Sequence, residues 1–299
     1  MLHLTLRQLQ VFEAAATHLN FSLAAKQLFL SQPAVSMQIK QLEENIGLPL
    51  FEQMGKRSFL TEAGRELFHY SHNISQQLAE MEAVFDEMKG LGKGKFTLSV
   101  VNTANYFTPQ LLARFCQRHP DINVILQVAN RDAVLKQLDD NSTDLAIMGQ
   151  PPDGLDIIAE PFLDNQVVVI AAPGHPLAKL KRVKLARLAQ ETFLSREPGS
   201  GTRSAMERVF AEHQIRPRIS MEMETNEAIK QAVQAGMGLA VVSLHTVSLE
   251  LQAGRLAVLD VVDFPIRRHW FVVHRRDKRL SAAASAFKQF LLAQGADAA

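Results

Sequence analysis

The first sixty residues alternate apolar and polar positions with a helical period. A first helix is predicted after Thr5, whose hydroxyl can cap its free amides. Its inward-facing positions are Leu6, Leu9, Phe12, Ala16 and Leu19. Two shorter helices are predicted next, with Ser22 and Ser31 as their caps. Because these starts lie nine residues apart, the two helices must meet at a tight corner.

The second helix of this corner has one apolar and one polar face. Its apolar stripe consists of Val35, Ile39, Leu42 and Ile46, and Gly47 ends it. The opposite face carries short amide, hydroxyl and apolar groups that suit contacts with base edges in a DNA major groove. Its candidate DNA-binding residues are Gln32, Pro33, Ala34, Ser36, Met37 and Lys40. The pattern alone also fits the corner of an ordinary helical bundle.

A hairpin and a long helix follow the corner. The hairpin has Gly55 at its tip, and Lys56 and Arg57 are candidate phosphate or minor-groove contacts, although two basic residues at a turn are also common surface charge. Residues 62–89 contain no proline and repeat apolar residues every three or four positions. Such a helix would span about 40 Å, more than the core of one domain needs. We therefore expect a homodimer joined through this helix.

From Phe96 the pattern changes to apolar strands that alternate with amphipathic helices, after a glycine-rich hinge over residues 90–95. Parallel strands are predicted over residues 96–101, 123–128 and 144–148, and a second set lies between residues 167 and 243. The last strand, over residues 270–274, and the last helix resume the first pattern. The chain is therefore predicted to cross twice between two lobes, near residues 161–166 and 264–269.

Ligands of parallel α/β lobes bind beyond the carboxyl ends of strands, where helix N-termini converge. Several polar segments meet this condition, and the segment Arg196 to Arg203 is the richest in glycine, hydroxyl and arginine. It favours a carboxylate or phosphate, although a helix cap with surface arginines is the alternative. The candidate effector-binding residues are Asn102, Thr103, Asn130, Arg131, Arg196, Ser200, Gly201, Thr202, Arg203 and Thr225.

Composition narrows the classes of protein. The 299 residues are 47% hydrophobic and 21% charged, as in globular proteins of two or three domains. The single cysteine excludes internal disulfides, and the ten histidines show no metal-ligand spacing. We find no catalytic serine setting, no membrane span and no export signal, so we expect a cytoplasmic protein that is not an enzyme and needs no metal or cofactor. The net charge of +1 gives DNA binding no bulk support.

Residues 4–66 closely resemble the N-terminal domain of LysR-type transcriptional regulators. The resemblance rests on the corner together with Leu6 to Phe12, Leu48 to Glu52 and Leu60 to Gly64. It implies an α/β multi-domain fold with an all-α winged helix-turn-helix at residues 1–61, and a linker and dimerisation helix with hinge at 62–94. A two-lobed, periplasmic-binding-protein-like effector domain would follow at 95–299, with lobe I at 95–163 and 268–299 and lobe II at 164–267. In that family Thr103, Asn130 and residues 200–202 match positions that line the effector pocket.

The runs Val100 to Pro109 and Ser36 to Lys40 look similar to activators of carbon-fixation operons. Effectors in that subgroup are phosphorylated sugars, organic acids or reduced dinucleotide, and many relatives carry arginine where Met37 stands. The resemblance implies a DNA-binding regulator whose partners are double-stranded DNA, a small anionic effector and further copies of the chain, as a dimer or a dimer of dimers. The alternatives are a cytoplasmic small-molecule binding protein that uses its N-terminal helices for protein contacts, and an enzyme built on the α/β lobes.

Overall fold

The structure, a computed structural model, describes residues 4–54, 57–88, 94–152 and 154–296. The chain divides into two compact units, a mainly helical one up to Phe85 and an α/β one that holds most of the rest. The helical unit contains α1 (Leu6–His18), α2 (Phe21–Gln27), α3 (Gln32–Ile46), β1 (Phe51–Met54), β2 (Arg57–Leu60) and α4 (Glu62–Met88). The three helices, the hairpin and the long helix therefore occur in the predicted order.

Side-chain caps fix where the helices of the first unit begin. Thr5 and Gln8 form a reciprocal capping box at α1, and the Ser31 hydroxyl accepts from the backbone amide of Ala34 at α3. Gly47 ends α3 with φ of 81°, in the left-handed region that glycine tolerates. The cap predicted at Ser22 was wrong. Asn20 caps α2 instead, because its side chain accepts from the amides of both Ser22 and Leu23.

Side chains of α1, α2 and α3 form the core of the first unit together with those of β1, β2 and the start of α4. Val11, Phe12, Val35 and Leu42 are fully buried in it, as the helical period predicts for the last three. Two predicted inward positions of α1 are exposed, since Leu6 lies in the first turn and Leu19 is the left-handed residue after the last turn. The inward face of α1 is therefore shorter than the sequence pattern indicated.

Helix α4 runs over 27 residues and keeps apolar side chains in solvent. Tyr70, Ile74, Met81 and Phe85 are all exposed. Single exposed apolar residues are common on protein surfaces, but four along one helix form an apolar surface that a partner can cover. The helix is thus consistent with the predicted pairing, which the single chain does not itself display.

The α/β unit begins with β3 (Lys95–Val101), α5 (Thr108–Arg118), β4 (Asn123–Ala129), α6 (Arg131–Asp139) and β5 (Leu145–Met148). A long strand β6 (Ile157–Ala171) leads to α7 (Leu185–Leu188), β7 (Thr192–Arg196), α8 (Gly201–Glu212), β8 (Arg218–Met223), α9 (Asn226–Gln234) and β9 (Leu239–Ser243). It closes with α10 (Ser248–Gln252), β10 (Ala257–Val258), β11 (Ile266–Arg275) and α11 (Ala282–Ala296). The short elements α7, α10 and β10 were not predicted.

One nine-stranded sheet connects the two lobes, in the order β4-β3-β5-β11-β6-β9-β7-β8 with β10 beside β6. Strands β3, β4 and β5 are parallel, and so are β7, β8 and β9. The two crossings between lobes are β6 and β11, which pair antiparallel from Ile266↔Val167 to Arg275↔Ile157. The crossings are therefore strands of the sheet, and they place residues of β11 at the junction of the lobes.

Separate hydrophobic clusters fill the two lobes. Phe96, Phe115, Trp270 and Phe287 belong to the cluster of lobe I. In lobe II, one cluster lies around Phe193 and Phe210, and another around Ile229 and Val242. Each lobe thus has its own core, and the paired strands β6 and β11 connect them. Among the described residues, no helix has the length and apolar content to cross a membrane.

Candidate functional site

The outward face of α3 presents the side chains predicted to read DNA. Gln32 Nε2 donates to Ser36 Oγ over 2.8 Å, which orders the Gln32 amide on the surface of the first turn of α3. Met37 is 65% exposed and stands among polar neighbours. Lys40 is exposed, and its ammonium lies 3.9 Å from Glu44, a separation at which a surface ion pair contributes little. Pro33 is exposed in the first turn, and Ala34 is partly buried.

The hairpin between α3 and α4 is present, and its tip lies outside the described residues. Strands β1 and β2 pair antiparallel from Phe51↔Leu60 to Met54↔Arg57. Lys56 is not among the described residues, and only the backbone of Arg57 is described, as the first residue of β2. The two predicted wing contacts therefore stay predictions.

A cleft between the two lobes collects most of the predicted effector-binding residues. It encloses about 470 Å³, counting space that is open to solvent. Its walls include eight of the ten candidates, namely Asn102, Thr103, Asn130, Arg131, Arg196, Ser200, Gly201 and Thr202. The remaining lining residues are Val101, Gly149, Gln150, Asn165, Glu197, Arg268 and Trp270. Each lobe thus contributes the loop at the carboxyl end of its strands.

Two helix N-termini open onto this cleft. Asn130 caps α6, since its side-chain oxygen accepts from the amide of Ala133 over 2.9 Å. Ser200 is the residue before α8, and its buried hydroxyl makes no capping hydrogen bond. Within the described part of the chain, the first-turn amides of α8 therefore lack a side-chain acceptor, and the partial positive charge of a helix N-terminus favours an anion there. The cleft contains donors on both walls.

Arginines of three different elements face the cleft, and only one of them is neutralised. Arg196 Nε and Nη2 donate to the two carboxylate oxygens of Glu197 over 2.7 and 2.9 Å, and Arg196 Nη1 donates to Asn226 over 2.6 Å. Arg131 donates only to the carbonyl of Gln150 over 3.4 Å, and Arg268 to the carbonyl of Gly201 over 3.0 Å. Among the described residues, neither of these two guanidinium groups has an ion-pair partner.

Without a nearby anion, the surroundings of Arg268 disfavour the charged form of its guanidinium group. Burial is the largest cause that lowers the pKa of its guanidinium, and repulsion from Arg208 and Arg131 lowers this pKa further. Gly149 leaves room for the Arg268 side chain, because a Cβ at position 149 would lie 3.2 Å from Arg268 Nη2. Two uncompensated cations and an uncapped helix start give this cleft the chemistry that suits a small anion.

Two candidate effector residues do not line the cleft. The Arg203 guanidinium donates to Glu207 over 2.8 Å, to Glu222 over 2.7 Å and to the backbone oxygen of Arg196. These acceptors hold Arg203 on the side of α8 next to β8, and they occupy its charge. Thr225 caps α9 by accepting from the amide of Ala228 over 3.1 Å. Neither residue lines the cleft, and the prediction that they contact the effector stays a prediction.

Three lining residues were missed because they come from the strands that connect the lobes. Arg268 and Trp270 are two residues apart on β11, so the strand places them on the same face. Asn165 lies on β6 and accepts from the Ser243 hydroxyl over 2.9 Å. The two-residue spacing of Arg268 and Trp270 was a signal in the sequence. A tryptophan in a strand is usually buried, and this spacing places the arginine on the same inward face.

Comparison with protein families identifies both units of the chain. Residues 6–65 match the model of the bacterial regulatory helix-turn-helix protein, lysR family, and residues 89–296 match the LysR substrate binding domain. The RuBisCO operon transcriptional regulator of Allochromatium vinosum is 55% identical over 99% of this chain and 98% of its own length. The transcriptional activator CmpR of Synechocystis is 44% identical over 98% of this chain and 96% of its own length.

Solved structures of similar proteins share the fold. The regulatory domain of Synechocystis CcmR in complex with 2-PG is 41% identical, with a TM-score of 0.65 over 67% of this chain and 97% of that domain. Full-length CbnR in complex with its target DNA is 21% identical, with a TM-score of 0.73 over 97% of this chain and all of that one. The helix-turn-helix unit, the two-lobed domain and these relatives lead to one conclusion. The chain belongs to the LysR family of DNA-binding transcriptional regulators.

Proposed function

We propose that this regulator controls transcription of carbon-fixation genes in response to a small anionic metabolite that binds between its two lobes. The observation that carries the proposal is the pair Arg131 and Arg268, two cations without an acidic partner in the described residues that face one cleft. The likeness to regulators of RuBisCO operons supports the choice of target genes.

The relative CcmR binds 2-phosphoglycolate in its regulatory domain, and that domain is 41% identical to this chain. A phosphate or carboxylate group suits two unpaired guanidinium groups and the uncapped start of α8, because charge-assisted hydrogen bonds gain most where no competing counter-charge is present. The candidate ligand contacts are Asn102, Thr103, Asn130, Arg131, Ser200, Gly201, Thr202 and Arg268. Arg196 contributes a neutral pair with Glu197 to the same wall.

DNA recognition is assigned to residues 1–61, with the linker helix and hinge at 62–94 and the effector domain at 95–299. In this assignment Gln32, Ser36 and Met37 contact base edges, while Lys40, Lys56 and Arg57 contact phosphates. Pairing through α4 gives two copies of α3, and two half-sites raise affinity well above that of one weak contact surface. An effector that draws the lobes together then changes how the copies pack and how they bend or space their half-sites.

The effector half of the proposal is tested by footprinting the purified full-length protein on DNA upstream of its carbon-fixation operon, with and without 2-phosphoglycolate. We expect a changed footprint with 2-phosphoglycolate and none with glycolate, which lacks the phosphate. Arg268→Gln should abolish the response, and Arg203→Gln, which alters an arginine outside the cleft, should keep it. Identical footprints with every anionic metabolite tried would contradict the proposal.

The DNA half is tested by measuring operator affinity of Gln32→Ala. We expect about a tenfold or greater loss, since one bidentate base contact is worth about 1–3 kcal/mol and the dimer carries two. Gln10→Ala is the matched control, because Gln10 is an exposed glutamine on α1 rather than on α3. Equal affinities of the two variants would refute the assignment of α3.

A further inference from the structure

Trp270 is the single tryptophan of the chain and lies where the lobes meet. It is 1% exposed, and its ring packs against Phe107 with ring centres 5.2 Å apart. Its indole nitrogen Nε1 is buried and has no hydrogen-bond partner among the described residues. A buried N–H without an acceptor costs about 1–3 kcal/mol, and because Trp270 lines the cleft, a ligand oxygen that reaches this N–H would remove that cost.

Arg268 precedes Trp270 by two residues on the same face of β11, and both line the cleft. Arg268 supplies a positive charge without an acidic partner in the described structure, whereas Trp270 supplies a neutral donor. Its immediate neighbour Arg267 is exposed on the opposite face of the strand. The strand that joins the lobes therefore brings two different donors to one site.

We infer that Arg268 and Trp270 together select the effector: Arg268 binds an anionic group, and the indole N–H of Trp270 donates to a second oxygen of the same small molecule. This inference rests on the proposed function, since it assigns two specificity-determining residues to the effector cleft. It narrows the ligand class to small acids with at least two separate oxygen-bearing groups, such as a phosphorylated hydroxy acid. Inorganic phosphate satisfies only the first requirement.

The site also explains why small residues surround the arginine. A side chain at Gly149 would crowd Arg268 Nη2, and Arg268 Nη1 is held by the carbonyl of Gly201 at the start of α8. The guanidinium is thus positioned between a strand end of lobe I and a helix start of lobe II. An anion bound there contacts both lobes at once, so the same two residues that select the ligand also favour closure.

The experiment uses the full-length protein with 2-phosphoglycolate, glycolate and inorganic phosphate as probes. Binding is measured by calorimetry, and the fluorescence of Trp270, which is the sole indole signal, is recorded in the same titration. We expect 2-phosphoglycolate to bind and to shift the emission, and phosphate to bind more weakly. Trp270→Phe keeps the aromatic packing, and it should weaken 2-phosphoglycolate about tenfold while leaving phosphate unchanged.

Two arginine variants complete the test. Arg268→Gln should weaken 2-phosphoglycolate and phosphate alike, by about 100-fold, whereas Arg267→Gln should bind as the wild type does. Wild-type affinity of Trp270→Phe for 2-phosphoglycolate would overturn the inference while leaving the cleft as the effector site, whereas wild-type affinity of Arg268→Gln for both anions would also contradict the anion site proposed above. Absence of binding by the wild type to all three probes would overturn both this inference and the anionic effector proposed above.

Discussion

Lys230 Nζ lies 4.9 Å from the centre of the Tyr106 ring, and this contact connects a turn of lobe I to helix α9 of lobe II. The ammonium group also donates to Glu250 over 2.8 Å and pairs with Glu227 at 2.8 Å. Burial lowers the pKa of Lys230, but the hydrogen bonds to Glu227 and Glu250 outweigh it and the pKa is raised overall. The amine is therefore a cation at neutral pH, as a cation–π contact requires.

Tyr106 should influence effector affinity although it does not line the cleft. It follows the cleft residue Thr103 by three positions, at the end of a single helical turn, and we therefore expect a ligand that moves Thr103 to shift the ring that covers Lys230. A cation–π contact is worth about 0.5–2 kcal/mol, so Tyr106→Leu should raise the Kd of the effector about two- to thirtyfold. Calorimetry with 2-phosphoglycolate measures the change.

Tyr106→Phe is the matched control for this prediction. It retains the ring face over Lys230 and removes the hydroxyl group with its hydrogen bond to Glu227, so its Kd should stay closer to that of wild type than to that of Tyr106→Leu. A Leu variant that binds with the same affinity as the Phe variant would show that the contact does not contribute to closure.

Met37 should read a thymine methyl group. The side chain is 65% exposed on the face of α3 assigned to DNA, where an apolar group gains most from an apolar partner. Replacing the contacted thymine by deoxyuridine removes one methyl group, which should weaken wild-type binding about fourfold per half-site. Operator duplexes with single replacements, titrated at fixed salt, identify the position.

A double-mutant cycle tests whether Met37 causes the difference in affinity between the thymine and deoxyuridine duplexes. Met37→Ala should bind the thymine and deoxyuridine duplexes equally, whereas Met221→Ala, an exposed methionine on β8, should retain the fourfold difference. An undiminished difference in Met37→Ala would exclude the methyl contact.

Local signals made most of the fold predictable. The caps Thr5 and Ser31, the stop at Gly47 and the strands around β3 and β9 depend on residues within a few positions of each other, and all occur as predicted. The cap of α2 was missed because Asn20 and Ser22 are both competent caps two residues apart. Only the backbone conformation of Asn20, with φ of −154°, decides between them.

The cleft was harder to predict because distant residues decide which arginines remain unpaired. Arg203 lies in a glycine- and hydroxyl-rich segment. Its guanidinium group, however, pairs with Glu207 one turn along α8 and with Glu222 on strand β8. Arg268 stands in a segment predicted only as a crossing between lobes, and the pairing of β11 with β6 brings it to the cleft. The sequence pattern indicates inward and outward positions, but it does not give strand register.

Replacing exposed apolar side chains of α4 by charged ones should prevent two chains from pairing. Met81 and Phe85 are 48% and 50% exposed, so burial of the remaining surface would stabilise a dimer by about 0.7–1.5 kcal/mol for each side chain, and a buried glutamate would cost more than this. The double variant Met81→Glu/Phe85→Glu should therefore raise the dimer Kd at least about 100-fold and abolish high-affinity operator binding. Sedimentation velocity over a concentration series measures the dimer Kd.

Gln77→Glu serves as the control, because it adds a charge at an exposed polar position of the same helix and should leave the dimer intact. A double variant that sediments as the wild-type dimer does would mean that α4 is not the dimer interface.

His274 should make the lobe I core less stable in acid. The residue is 5% exposed on β11, its Nδ1 lies 2.8 Å from the carbonyl of Arg275, and its Nε2 lies 3.2 Å from Lys288 Nζ. Burial is the main cause that lowers its pKa below 6.5, and Lys288 and Lys278 lower it further, against the opposing effects of that carbonyl and Glu160. The neutral imidazole is therefore the form that the folded state favours.

The sign of the pH dependence follows from linkage. Below pH 6.5 the unfolded chain takes up a proton at His274 that the folded chain resists, so the free energy of unfolding falls as the pH falls from 6.5 toward the folded pKa. Relative to His274→Asn, the wild type should lose up to about 1.4 kcal/mol per pH unit in that window. Urea unfolding followed by Trp270 fluorescence at pH 8, 7, 6 and 5 measures it. His269→Asn, on the exposed side of the same strand, should behave as the wild type does, and parallel pH profiles of wild type and His274→Asn would contradict the prediction.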